Sequence, residues 1–226
     1  MPKLSVVIPV FNEEESLDAL LSELKKGLST LDSSCEVIFV NDGSTDTSLK
    51  KLKDYQAAQN NGFLKIVDLP QRSGQTFALK KGLQSAQGDI IISLDADLQN
   101  DPADISRLLE KINEGFDVVC GWRKDRNDPP VKKVLSKIGN ILQRAFSGLK
   151  VHDVSCTLRA YRRNCLGDLN LNWEGQHRFI PLILSKKGYK VAEVTTNHRS
   201  RRFGYSKYNH KRIFKVMADF FRILGG

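Results

Sequence analysis

Two carboxylates stand two residues apart in Asp95-Ala96-Asp97, directly after the apolar run Ile90-Ile91-Ile92-Ser93-Leu94. At a strand end that spacing lets both converge on one divalent cation. Hard oxygen ligands suit Mg2+ or Mn2+, which can in turn bridge a diphosphate. An isolated Asp-x-Asp is also common in solvated loops, so its weight depends on where the chain carries it. Two further polar clusters follow apolar runs in the same manner. They are Pro9-Val10-Phe11-Asn12-Glu13-Glu14 after the first run, and Asn41-Asp42-Gly43-Ser44-Thr45-Asp46 after the second. Taken alone, the latter reads equally well as a turn and helix cap. Neither has the glycine pattern of a dinucleotide site or a phosphate-binding P-loop. Cys35, Cys120, Cys156 and Cys165 are far apart without a C-x-x-C pair, which suggests reduced thiols and argues against a zinc knuckle or a disulfide framework.

The elements that must position these groups follow from hydrophobic period. Leu4–Val10, Glu36–Val40, Leu64–Leu69, Asp89–Leu94 and Asp117–Cys120 are short and nearly continuously apolar, as strands buried on both faces are. Between them lie helical patterns. Leu17, Leu20, Leu21, Leu24 and Leu28 recur at helical spacing, and a helix capped by Thr45 or Asp46 runs towards Gln59. Another runs from Phe77 to Ala86 with Gly88 at its end, and a fourth from Pro102 to Asn113. This alternation predicts an α/β domain with an open, mostly parallel sheet and helices on both faces. In such sheets ligands sit at the carboxyl ends of the strands. The three polar clusters all fall on that edge.

After Gly121 the alternation weakens, and Val131–Phe146 and Lys211–Leu224 read as basic amphipathic helices. The 226 residues carry a net charge of +9, unevenly spread. Residues 1–120 hold 12 Lys and Arg against 19 Asp and Glu, a net −7; residues 121–226 hold 23 against 7, a net +16. A partner with concentrated negative charge is expected at the second half: nucleic acid, anionic lipid or pyrophosphate. No run reaches the length of a membrane span or a secretory signal.

Together, Val7 to Glu14, Val40 to Asp46, Gly88-Asp89 and Asp95-Ala96-Asp97-Leu98-Gln99 with Pro102 resemble glycosyltransferase family 2, whose fold is the Rossmann-like GT-A fold. Gly121-Trp122-Arg123, Asp153 through Arg163, and His198 through Tyr208 are similar to its branch of dolichyl-phosphate mannose synthases and bacterial polyprenyl-phosphate glycosyltransferases. The resemblance implies one catalytic domain over residues 1–226. Residues 1–120 would form the nucleotide-sugar and metal half, and 121–226 the acceptor and membrane-facing half. Pro9, Phe11, Glu14, Asp42, Asp95 and Ala96 would bind a UDP- or GDP-linked sugar. Asp95, Asp97 and Gln99 would hold Mg2+ or Mn2+. Arg123 and Arg126 would grip the acceptor phosphate. Asp97, Arg202, Lys207 and Asp153 would serve catalysis, the basic pair from a loop that orders over bound phosphates.

The resemblance further implies inverting transfer to a polyprenyl phosphate at the cytoplasmic face of a membrane, by peripheral attachment or by helices outside this chain. Asp153 has an equally good reading as a structural carboxylate paired with an arginine, and His177 and His198 as structural histidines. Transfer to a soluble saccharide or protein hydroxyl is the rival within the fold, though no convincing general base is visible for it. The basic, aromatic stretch around Arg202 also fits RNA. No nucleic acid is expected, because an RNA module has no use for a strand-end carboxylate pair.

Overall fold

The computed structural model describes residues 3–31, 33–58, 63–124, 151–167 and 169–200, together with Asp219, Arg222 and Ile223. The expected helix Val131–Phe146 lies outside the described residues, as do Arg126, Arg202 and Lys207. So does the C-terminal helix apart from its three described positions.

Seven strands form one sheet in the order β3-β2-β1-β4-β6-β5-β7. β1 (Leu4–Val10), β2 (Cys35–Asp42), β3 (Leu64–Leu69) and β4 (Ile90–Ser93) pair in parallel. β6 (Arg159–Arg162) lies antiparallel between β4 and β5 (Val118–Trp122), and β7 (Val191–Thr195) continues parallel to β5. β1, β2 and β4 are almost wholly buried, so their apolar runs are continuous; β3, at one edge, is only partly covered.

Alternate side chains feed two cores. On one face Val6, Ile8, Val37, Phe39 and Ile92 meet α1 (Leu17–Ser29), α2 (Ser48–Ala58) and α4 (Ile105–Asn113). On the other Val7, Ile38, Val40 and Ile91 meet α3 (Gln75–Ser85) and the helix Ile180–Lys186. α3 lies close on the sheet: a Cβ at Gly82 would stand 2.2 Å from Val7 Cγ1 and 2.9 Å from Val40 Cγ2. A side chain there would push the helix away from β1.

The expected alternation of strands and helices over the first 120 residues is thus present, with ends shifted by a few residues. β6, β7, the short helix Arg163–Leu166 and the helix Ile180–Lys186 were not anticipated. All four cysteines are free; three are buried and Cys35 is partly so.

Candidate active site

The strand order reverses about β1: β2 and β3 lie on one side, and β4 lies on the other. At such a switch point the loops after neighbouring strands part and leave a crevice at the carboxyl ends. Phe11 follows β1, Asp42 ends β2, and Asp95 and Asp97 follow β4. The three sequence clusters are therefore neighbours in space.

Asp95 is held on both oxygens. Gln75 Nε2 donates to Oδ1 at 2.8 Å, and the Thr157 hydroxyl donates to Oδ2 at 2.9 Å. Burial, followed by the charge of Asp97, pushes the Asp95 carboxyl up to about 6; Thr157, Arg123 and Arg159 pull it back. Two carboxylates thus repel each other in a poorly solvated place, the situation a bound cation relieves. The next residue but one accepts locally, Asp97 Oδ1 taking the Gln99 N–H at 3.2 Å. Between them Ala96 turns its methyl into the core, which leaves only its backbone for a ligand. Leu98 is buried at φ 60, a left-handed conformation that costs a non-glycine residue about 1–2 kcal/mol. The other non-glycine residue with positive φ among those described is Asn12, after β1. Both strained positions lie in the site loops, where such strain tends to gather.

The nucleoside side is stitched by hydrogen bonds between the loops after β1 and β2. Thr45 N–H donates to Asn12 Oδ1 at 2.8 Å, and Ser48 Oγ accepts the Glu13 N–H at 2.9 Å. Glu14 Oε2 accepts from the hydroxyl and N–H of Thr47, at 2.5 and 2.9 Å, which holds its carboxyl below the usual range. Asp42 accepts the N–H groups of Ser73 (2.6 Å) and Gly74 (2.9 Å), one on each oxygen. Here Asp42 suspends the loop before α3, and Glu14 secures the start of α2. Arg72, from that suspended loop, lies 4.2 Å over the Phe11 ring. Pro9 lines a small space beside Asp95, with Gln75, Thr157, Arg159 and His177.

On the other side of the loop after β4, Arg123 and Asp153 meet as a bidentate pair at 2.7 and 2.9 Å, and both are largely buried. Ser155 Oγ also donates to Asp153 Oδ1, at 2.9 Å. Asp153 is thus paired with an arginine. Arg123, expected at the acceptor phosphate, has its fork on this carboxylate. Gln99 offers its carbonyl to the Arg199 N–H at 2.9 Å, and Asn100 forms a β-bridge with His198. Arg199 then reaches Glu23 (2.7 Å) and Asp101 (2.5 Å). This fastens residues 197–200, the start of the basic stretch, to the loop after β4. His177 is buried, its Nδ1 2.6 Å from Thr76 Oγ1.

Several site residues were missed in the sequence: Arg72, Gln75, Thr157 and Arg159. Arg159 is wholly buried, donating to the carbonyls of His177 and Val154 at 2.7 Å each. A buried arginine inside the short strand Arg-Ala-Tyr-Arg gives no apolar signal. Gln75 had one usable cue, its place at the start of a helix on the ligand edge.

Over 217 residues, 96% of its length, the chain is 39% identical to the undecaprenyl-phosphate 4-deoxy-4-formamido-L-arabinose transferases of Klebsiella pneumoniae (strain 342) and Proteus mirabilis (strain HI4320). It spans 66% of the length of each of these relatives. A solved structure with the same fold is glucosyl-3-phosphoglycerate synthase from Mycobacterium tuberculosis, in complex with Mn2+, uridine diphosphate and glucosyl-3-phosphoglycerate. It matches with a TM-score of 0.76 and 21% identity, over 99% of this chain and 80% of that one. The sequence model of glycosyl transferase family 2 matches residues 5–169, from within β1 to beyond β6 and through every strand-end motif described above, and the chain belongs to that family.

Proposed function

We propose that this chain transfers a sugar from a nucleoside-diphosphate donor to a polyprenyl phosphate, with inversion at the anomeric carbon. The observation that carries the reading is the carboxylate pair Asp95 and Asp97 at the end of β4, beside Phe11 and Asp42 at the switch point. The acceptor class is supported by the names of the relatives at 39% identity, which act on undecaprenyl phosphate; a 4-deoxy-4-formamido pentose is accordingly the first donor sugar to test. The structural neighbour's uridine diphosphate favours UDP over GDP as the first donor nucleotide.

The donor set fits a divalent cation. Among the described residues no group of three or more His, Cys, Asp or Glu gathers into a ligand cluster. Asp95 and Asp97, with Gln99, would therefore hold an ion that takes its remaining ligands from diphosphate and water, as Mg2+ and Mn2+ do. Such an ion supplies charge stabilisation to the departing nucleoside diphosphate. Phe11 and Arg72 would flank the base, with Pro9, Glu14 and Asp42 shaping that side. The bond from the anomeric carbon to the donor phosphate breaks as an oxygen of the acceptor phosphate bonds to the same carbon. That oxygen is already anionic near neutral pH, so the attack needs no strong base. Asp153 is then a support for Arg123, while Arg123, Arg126, Arg202 and Lys207 are the cations assigned to the two phosphates.

The same reading puts the second half at the cytoplasmic face of an anionic membrane. Among the described residues no helix is long and apolar enough to cross one. Asp219 and Ile223 are buried, and Arg222 lies 4.3 Å over the Trp173 ring, so these three positions face the body of the protein. In the sequence, Ile213, Phe214, Met217, Phe220, Phe221 and Leu224 recur at the spacing expected of an interfacial helix. Liposome co-sedimentation tests this part: binding should need anionic lipid and fall with salt. No binding at low salt to any composition would remove the membrane from the account.

A further inference from the structure

Four consecutive residues, three before α3 and Gln75 at its start, touch three parts of the site. Arg72 covers Phe11 at 4.2 Å, Ser73 and Gly74 donate to Asp42 at 2.6 and 2.9 Å, and Gln75 donates to Asp95 at 2.8 Å. Gln75 is the first residue of α3, and its neighbour Thr76 anchors that end of the helix. The Thr76 N–H donates to Glu174 Oε2 at 3.0 Å, and its hydroxyl accepts from Gly175 N–H at 2.8 Å. The Gln75 side chain therefore leaves a fixed point and ends on one particular carboxylate oxygen. Its chemistry suits the place. A neutral amide orients an ionised carboxylate without adding a positive charge that would compete with a cation. A lysine at the same distance would pair with Asp95 and repel the ion.

Resting on the function proposed above, we infer that Gln75 is a positioning residue for the cation site, through which the loop carrying the nucleoside contacts sets the direction of the Asp95 carboxylate. Thr157 holds the other oxygen from the far side of β4, so Asp95 is gripped between the two halves of the site. Removing Gln75's donor frees one oxygen of a carboxylate that Asp97 repels, and the pair loses its shared aim. The contacts of Phe11 and Asp42 with residues 72–74 use the Arg72 guanidinium and the N–H groups of Ser73 and Gly74, so they survive the change.

The test is Mn2+ binding to the nucleotide-free protein, by calorimetry or electron paramagnetic resonance, for wild type and Gln75→Leu. UDP and GDP binding in excess chelator is measured on the same samples. Gln75→Leu should lose roughly 10- to 100-fold in Mn2+ affinity, the usual cost of removing a group that orients a metal ligand. Chelator-resistant nucleotide binding should be unchanged. Thr157→Val should show the same selective loss. Equal Mn2+ affinity in wild type and Gln75→Leu would overturn the inference alone. Joint loss of nucleotide and Mn2+ binding would also overturn it, by making Gln75 a structural residue only. Absence of Mn2+ binding in wild type would overturn both this inference and the metal-assisted function beneath it.

Discussion

The two sides of the loop after β4 handle charge in opposite ways. On the nucleoside side carboxylates rest on neutral donors: Glu14 on Thr47, Asp42 on the N–H groups of Ser73 and Gly74, Asp95 on Gln75 and Thr157. Their negative charge is oriented but not cancelled. On the other side charges meet opposite charges: Arg123 with Asp153, and Arg199 with Glu23 and Asp101. On the function proposed above, the first side would receive a cation from outside. The second is a framework of paired charges that fastens residues 197–200 beside the loop after β4. Removing one group should therefore cost activity on the first side and stability on the second.

The largest expected effect is on the first side. Asp97→Ala should lower turnover by roughly 10²- to 10³-fold, the scale of losing a charge-stabilising group at a reacting centre. Its thermal midpoint should hold, because the substitution also removes the charge that repels Asp95. Steady-state kinetics beside a thermal melt reads both. Full turnover in Asp97→Ala, or in excess chelator, would erase the distinction between the sides.

Next comes the buried pair on the second side. Asp153→Asn leaves Arg123 with an uncompensated charge, which costs about 3–5 kcal/mol where a buried ion pair loses one member. The double variant Arg123→Met/Asp153→Leu should recover most of that loss in denaturant titrations, since both charges leave together. A stable Asp153→Asn that has lost turnover would instead make Asp153 a catalytic carboxylate and break the comparison at its clearest point.

Arg199→Ala should cost less, about 1 kcal/mol, because the side chain is 30% exposed and solvent screens its two carboxylates. For a domain of this size that is a fall of about 2–4 °C in thermal midpoint. High salt should shrink the difference from wild type. A difference that persists unchanged in salt would mean Arg199 acts by packing.

The smallest effect sharpens the comparison by pH. The Thr47 hydrogen bonds hold the Glu14 carboxyl below its ordinary 4.5, so its contribution is present above that value and lost as pH falls through the lower folded one. Glu14→Gln should melt slightly below wild type near neutral pH and together with it in acid. A gap that widens in acid would have the wrong sign.

How far the sequence carried the account follows the same division. β1, β2 and β4 were readable because a strand buried on both faces must be apolar throughout, and their polar ends then had to mark the ligand edge. β6 was not. Arg-Ala-Tyr-Arg has no run to read, and Arg159 is buried with its two terminal nitrogens on the carbonyls of Val154 and His177. The contacts of Asp95 with Gln75 and Thr157 cross 20 and 62 residues, and no local pattern announces a partner at that range. Arg123's place at the acceptor phosphate is what the family resemblance implies, not something a local pattern shows. Its pairing with Asp153, 30 residues on, depends on how the loop after β5 returns beside β6. Backbone strain at Asn12 and Leu98 likewise has no signature in residue type alone.

The most direct test of the central claim is an assay of sugar transfer to undecaprenyl phosphate in detergent with Mn2+. UDP-4-deoxy-4-formamido-L-arabinose leads a panel of UDP- and GDP-sugars, and the lipid product is resolved by mass and its anomeric configuration by proton coupling. One donor should give a lipid-phosphate-linked sugar of inverted configuration, and excess chelator should abolish it. Transfer to a free saccharide with none to the lipid phosphate, or a product that retains the donor's configuration, would contradict the account.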